Sequence, residues 1–169
     1  MRHFWPVLFL GLTGCGYHIS GHANLMPKEI KTIAIPAFGD GTTRPRLANL
    51  ITTDVTREFN SRTKYNIIAT EDQADAVLRG TLMHFVSFPI VSDPVSGRAT
   101  GIQVVATLQI ILTDRHTGKT LFQRQGLEFR ERYEVTLDPN QYFDESGTGV
   151  QRLSRDVARS VVSAILENF

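Results

Sequence analysis

The sequence predicts one α+β domain, a two-layer sandwich in which a mixed β-sheet of about four to five strands carries two helices on one face. Three observations point there. Ile102, Val104, Ala106, Leu108, Ile110 and Leu112 alternate without a break, as in a long strand with one buried face. Two segments, 46–61 and 150–167, repeat apolar residues every third or fourth position, the period of a helix lying on a sheet. The element order, strand–helix–strand–meander–helix, is that of a sheet covered on one side.

The β-branched run 31–38 reads as the first strand, and 39–45 as a loop of Gly, Asp, Thr and Pro. A helix over 46–61 carries Leu47, Leu50, Ile51, Val55 and Phe59, with Pro45 suited to its first turn because the missing N–H costs nothing there. A second strand covers 65–69, and 72–75 interrupts it. Three long strands follow over 76–86 (with an extension past Pro89), 102–112 and 121–133. Segment 91–101, with Asp93-Pro94 and two glycines, is expected to be a longer, mobile loop, whereas 114–118 has the composition of a tight hairpin turn. A polar loop over 138–149 leads to the last helix, whose apolar side is Val150, Leu153, Val157, Val161, Ala164 and Ile165. The opposite sheet face is mixed, with Val105, Thr107, Gln109 and Ile111 on the middle strand. Such a half-apolar face suits a lipid or a protein partner.

The N-terminus stands apart. A short basic start, Met1-Arg2-His3, precedes a mostly apolar run from Phe4 to Leu12, shorter than the ~20 residues of a bilayer-spanning helix. The run ends in Leu12-Thr13-Gly14-Cys15, which resembles the bacterial lipobox. That resemblance implies a signal peptide over 1–14, cleavage before Cys15, and a covalent S-diacylglycerol and N-acyl anchor on Cys15. Several acyl chains, at about 0.8 kcal/mol per buried methylene, hold such a protein to a membrane almost permanently. Cys15 is the only cysteine, so no internal disulfide and no thiolate metal site is available. Gly16 stands where Asp marks inner-membrane retention, which implies the periplasmic side of the outer membrane. The expected organisation is therefore a signal over 1–14, a lipidated tether over 15–29 and a single domain over 30–169.

Enzyme chemistry is not foreshadowed, and no cofactor is expected beyond the lipid itself. His18 and His22 lie in the tether, where Gly16 and Gly21 argue against a metal-binding helix; His84 falls on a strand and His116 in a turn. There is no HExxH, phosphate-binding loop, GxSxG elbow or cysteine nucleophile in the domain. Gly39-Asp40-Gly41 reads as loop geometry, because Asp40 would repel an anion. Loss of Arg2 with the signal balances the 18 Lys and Arg against the 17 Asp and Glu, and a neutral chain gives no reason to expect nucleic acid.

The basic residues leave two readings open. Arg98 sits in the loop 91–101, Lys119 at the hairpin, and Arg124, Arg130 and Arg132 on the last strand, with a shared parity that places these three on one sheet face. They are either solvated strand residues paired with Glu128, Glu131 or Glu134, or contacts for an anionic glycolipid, since guanidinium groups bind phosphate in bidentate fashion.

Several short segments together resemble LptE, the lipopolysaccharide-assembly lipoprotein family. They are Cys15-Gly16-Tyr17-His18, Met26-Pro27, Ile33-Ala34-Ile35-Pro36, the first helix with Leu50-Ile51-Thr52 and Phe59, Ala74-Asp75-Ala76-Val77-Leu78-Arg79-Gly80, and the terminal helix through Leu153 to Val162. The resemblance implies a sheet of about four strands packed by two helices and a role as plug of the LptD β-barrel translocon. There the domain would help the barrel assemble and receive lipopolysaccharide. It also implies basic lipid contacts at one tip of the sheet, to which Arg98 corresponds. The loop before the last helix departs from the family, reading Asn140-Gln-Tyr-Phe-Asp-Glu-Ser146 where a second basic residue would help. An auxiliary lipoprotein of a periplasmic lipid transporter is the alternative class, separable by what co-purifies.

Overall fold

In the computed structural model, which describes residues 26–27, 29–42, 44–134 and 142–169, the elements follow the expected order. They are β1 (Thr32–Ala34), β2 (Gly39–Asp40), α1 (Pro45–Arg62), β3 (Asn66–Ile68), β4 (Ala76–Ser92), β5 (Ala99–Asp114), β6 (Thr120–Glu134) and α2 (Tyr142–Glu167). The sheet order is β3-β1-β4-β5-β6; β1 and β3 run parallel to each other, β1 and β2 run parallel to β4, and β4-β5-β6 form an antiparallel meander. Cys15, His18, His22 and the proposed signal fall outside the described residues.

The core lies between the sheet and the two helices. On β5 the alternating set is buried throughout, from Val104 to Leu112, and it meets Ile51, Val55 and Phe59 of α1 and Leu153, Val157, Val161 and Ile165 of α2. A buried polar bridge crosses between the helices: Ser154 donates to Asp54 at 2.6 Å, and Arg57 binds the other oxygen of the same carboxylate. Both Asp54 and Ser154 are buried, and their mutual bond spares each the cost of an unpaired polar group. Met26 and Ile30 also pack into this core, so the folded body begins ahead of β1.

Three elements differ from the sequence expectation. The strand 31–38 is split at Pro36, which has no N–H to give a ladder; β1 and β2 then lie one after the other along β4. The break frees Phe38 to turn inward, where its amide donates to Thr52 Oγ1 at 3.0 Å and its ring lies directly over Gly80. The polar loop expected over 138–149 is shorter, because α2 begins at Tyr142 rather than near Val150. Gly147 and Gly149 lie inside this helix rather than in a loop. Gly149 has its own reason: any Cβ there would run into the Tyr133 ring on β6. Finally, the expected long loop 91–101 is a compact turn, because β4 continues to Ser92 and β5 begins at Ala99. Asp93 closes that turn, accepting from the amides of Val95 and Ser96, while its own N–H donates to the Arg98 carbonyl at 2.8 Å.

Asp75, at the foot of β4, ties three segments together. Its carboxylate accepts from the amides of Lys31 and Thr32 at 2.8 and 2.9 Å, and its carbonyl accepts from Arg115 in the β5–β6 turn at 2.8 Å. The two backbone bonds hold its pKa below the usual carboxylate value, with His116 close by adding to the effect. A depressed folded pKa contributes stability that is present above the unfolded value of about 3.9 and is lost as pH falls through the folded value. Urea midpoints taken from pH 6 downward are therefore expected to fall below about pH 4 in the native chain. Asp75→Asn should start lower at pH 6 and lose less on acidification; parallel curves would show that Asp75 does not carry the acid sensitivity.

Candidate functional site

The meander is straight only along β5. On β4, Leu82 lies opposite Leu108 but His84 lies opposite Thr107, so Met83 is an extra residue. On β6, Arg124 lies opposite Ile110 and Leu127 opposite Leu108, so Gln125 and Gly126 together face Gln109. Gly126 has φ 67, the left-handed conformation that glycine adopts without a Cβ penalty at such bulges. The two bulges thus lie to either side of Leu108 on β5, that of β4 between Thr107 and Leu108 and that of β6 at Gln109.

Each bulge inverts which face its strand's side chains reach, because the side-chain period of a strand is two. Below the bulge on β4, Ala76, Leu78 and Leu82 point under the helices and are buried. Without Met83 the same parity would turn Val86 and Phe88 to the helix side of the sheet. With it, Phe85 takes the inner side opposite Ala106, and Val86 and Phe88 stand outward, 53% and 42% exposed. The β6 bulge does the same to the arginines: Arg130 lies opposite Val105, and Arg132 opposite Gln103.

The outer face of the distal meander is therefore built in rows. One row is Val86–Val105–Arg130, the next Phe88–Gln103–Arg132, and His84–Thr107–Glu128 lies below. Two strand spacings, about 10 Å, separate the apolar column from the basic one. Glu128 accepts from Arg130 Nε at 2.6 Å along the same strand. Above the rows lie Val91, also exposed, and the turn that bears Arg98.

The basic residues singled out from sequence do not form one cluster. Arg98 lies at the distal tip with Arg130 and Arg132 on the outer face below it, whereas Lys119 lies in the turn at the opposite end of the sheet. Arg124 does not share the face of Arg130 and Arg132. The Gly126 bulge leaves it on the helix side opposite Ile110, its guanidinium 5.5 Å from the Phe122 ring centre. Val86 and Phe88 escaped the sequence reading, although apolar residues at 85, 86 and 88 break the alternation and signal a bulge upstream. Among the described residues no cluster of three or more His, Cys, Asp or Glu is placed to hold a metal, and no helix is long and apolar enough to cross a membrane.

The family model of the lipopolysaccharide-assembly protein LptE matches residues 30–165. The chain belongs to the LptE family. No curated protein sequence matches it. Solved structures share the LptE-like fold at low identity. The rare lipoprotein B of Shewanella oneidensis is 11% identical, covers 80% of this chain and 94% of its own, and superposes with a TM-score of 0.55. An uncharacterized lipoprotein B of Nitrosomonas europaea is 16% identical over 90% of this chain and 96% of its own, with a TM-score of 0.54. A putative lipoprotein of Caulobacter crescentus is 13% identical over 80% and 88%, with a TM-score of 0.56. The LptE motif at 74–80 now has a physical meaning: Ala74 and Ala76 are buried, Asp75 clamps β1, Leu78 lies in the core and Gly80 makes room for Phe38.

Proposed function

We propose that this LptE-family chain is a non-catalytic lipoprotein of the outer membrane. In this reading it is anchored through acylated Cys15 on the periplasmic side, and assists lipopolysaccharide assembly as the plug and partner of an LptD-type β-barrel. The family match across the whole domain carries the reading. The fold supports it: the chain enters at the foot of β1 beside Asp75, and the long β4–β5 arm with Arg98 at its tip points the other way. A domain tethered at one end and extended at the other suits insertion into a barrel from its membrane-attached side. Arg98 is the tip residue assigned to lipopolysaccharide in this reading, and Lys119 and Arg124, at the far end or on the helix side, are released from that role.

Isolation of the native chain from outer membranes in mild detergent tests the partnership. A large β-barrel in stoichiometric amount is the expected companion, and Cys15→Ala should move the chain out of the membrane fraction. Inner-membrane transporter subunits in place of the barrel would replace the plug reading with that of a transporter auxiliary lipoprotein.

A further inference from the structure

We propose that the distal edge of β4 is a self-pairing surface: β4 of a second copy of this chain adds to it, antiparallel, about a two-fold axis at Ser87. The proposal concerns the chain itself and stands apart from the barrel partnership.

β1 and β2 pair only the lower part of β4, as far as Leu82. From Met83 onward its outer edge has no partner strand among the described residues. The large apolar side chains exposed among those residues, Met83, Val86, Phe88, Val91 and Val95, all lie on this stretch or in the turn after it. Unpaired edges are ordinarily guarded by charge, Lys above all. At the other edge of the meander β6 carries Glu128, Arg130, Arg132 and Glu134, but β4 has no Lys, Arg, Asp or Glu between Arg79 and Asp93. Two copies brought together along this edge therefore oppose no like charges, and apolar surface meets apolar surface.

The backbone sets the register. The Leu82 carbonyl accepts from Gly41 and so faces the outer edge. With Met83 as the extra residue, the backbone groups of Phe85, Ser87 and Pro89 face the same way. Pro89 agrees with this, because a proline within a sheet keeps its missing N–H on the open side. A two-fold axis at Ser87 joins the two Ser87 residues by reciprocal N–H to carbonyl bonds, and each Phe85 N–H donates to the Pro89 carbonyl of the other copy. On the outer face each Val86 then stands opposite Phe88 of the other copy, an aromatic against a β-branched side chain. No other centre serves as well. An axis at Phe85 drives the second copy against Gly41, which already lies alongside Met83, and an axis at Pro89 has no donor. The contact spans few residues and falls short of the about 1,200 Å² of a stable interface, so the pair is weak and reversible.

Cysteine crosslinking of the full chain in living cells tests the pairing and its register. The native chain, whose only cysteine is Cys15, sets the background under the same oxidant. Ser87→Cys is expected to give a disulfide-linked dimer above that background, because hydrogen-bonded residues opposed across two strands stand about 5.5 Å apart at Cα, within disulfide reach. Asn60→Cys, on the exposed side of α1, should give none. Chains carrying Val86→Cys and Phe88→Cys, separately tagged and co-expressed, should link to each other at least about fivefold more than either links to its own kind, since only the unlike pair is directly opposed. Adding Val86→Lys and Phe88→Lys to Ser87→Cys should lower the dimer about tenfold at unchanged protein level, because both side chains are exposed in the single chain and Lys guards an edge. Absence of a dimer at position 87, or as much dimer at position 60, would overturn the proposal. Links between like positions as strong as those between 86 and 88 would also overturn it, as would a dimer that survives both lysines.

Discussion

Gly80→Ala is expected to lower the stability of the domain by about 3 kcal/mol, at the upper end of what overpacking by one methyl group costs. The added Cβ would fall inside the Phe38 ring, and the ring cannot simply move away. Phe38 is buried, its backbone is fixed by the bond to Thr52, and β2 follows immediately along β4. A loss of that size is more than a hundredfold in the ratio of folded to unfolded chain. Urea denaturation reads it directly, as a lower midpoint at unchanged slope. Combining Gly80→Ala with Phe38→Leu should cost much less than the sum of the two single changes, since both act on one contact. Additive costs, or a single-variant loss under about 0.5 kcal/mol, would show that Phe38 does not depend on the glycine.

Leu108→Ala should cost still more, about 4 kcal/mol. Leu108 is fully buried, flanked by Leu82 on β4 and Leu127 on β6 at the level where both neighbouring strands bulge. Strands held by bulges on both sides have little freedom to close over the lost side chain, so the cavity term persists. The preceding residue, Thr107, points to the outer face, and Thr107→Ala should stay within about 0.5 kcal/mol of the native chain. Equal costs at the two positions would mean that the strand's inner and outer faces are wrongly assigned. The pair of measurements also tests whether the bulge level is a rigid part of the sheet.

The regular parts of this fold were legible because their signals are local and periodic. Leu47, Ile51, Val55 and Phe59 announce α1, and the unbroken alternation from Ile102 to Leu112 announces β5. The candidate face was not legible for a physical reason. A bulge is a single inserted residue, and Met83 or Gln125 looks like any other strand residue until the partner strand shows what stands opposite. Counting by twos across Gly126 therefore joined Arg124 to Arg130 and Arg132, although the strand inverts between them. The start of α2 lies inside the segment that reads as a polar loop, where Gly149 is required by Tyr133 rather than by a turn. The resemblance to the LptE family held over residues 30–165, and within the 74–80 segment Gly80 answers a specific contact, the Phe38 ring.

The length of β5 carries a consequence for where this protein can act. Its 16 residues correspond to roughly 50 Å of extended chain, from the turn beside the point of entry to the Arg98 tip. A bilayer with its headgroups is about 40–45 Å thick. If Cys15 is lipidated as proposed and the domain stands upright on it, β5 is a ruler slightly longer than the membrane is deep. A lipid reaching its foot on one side and leaving at its tip on the other would have crossed the whole thickness along a single strand.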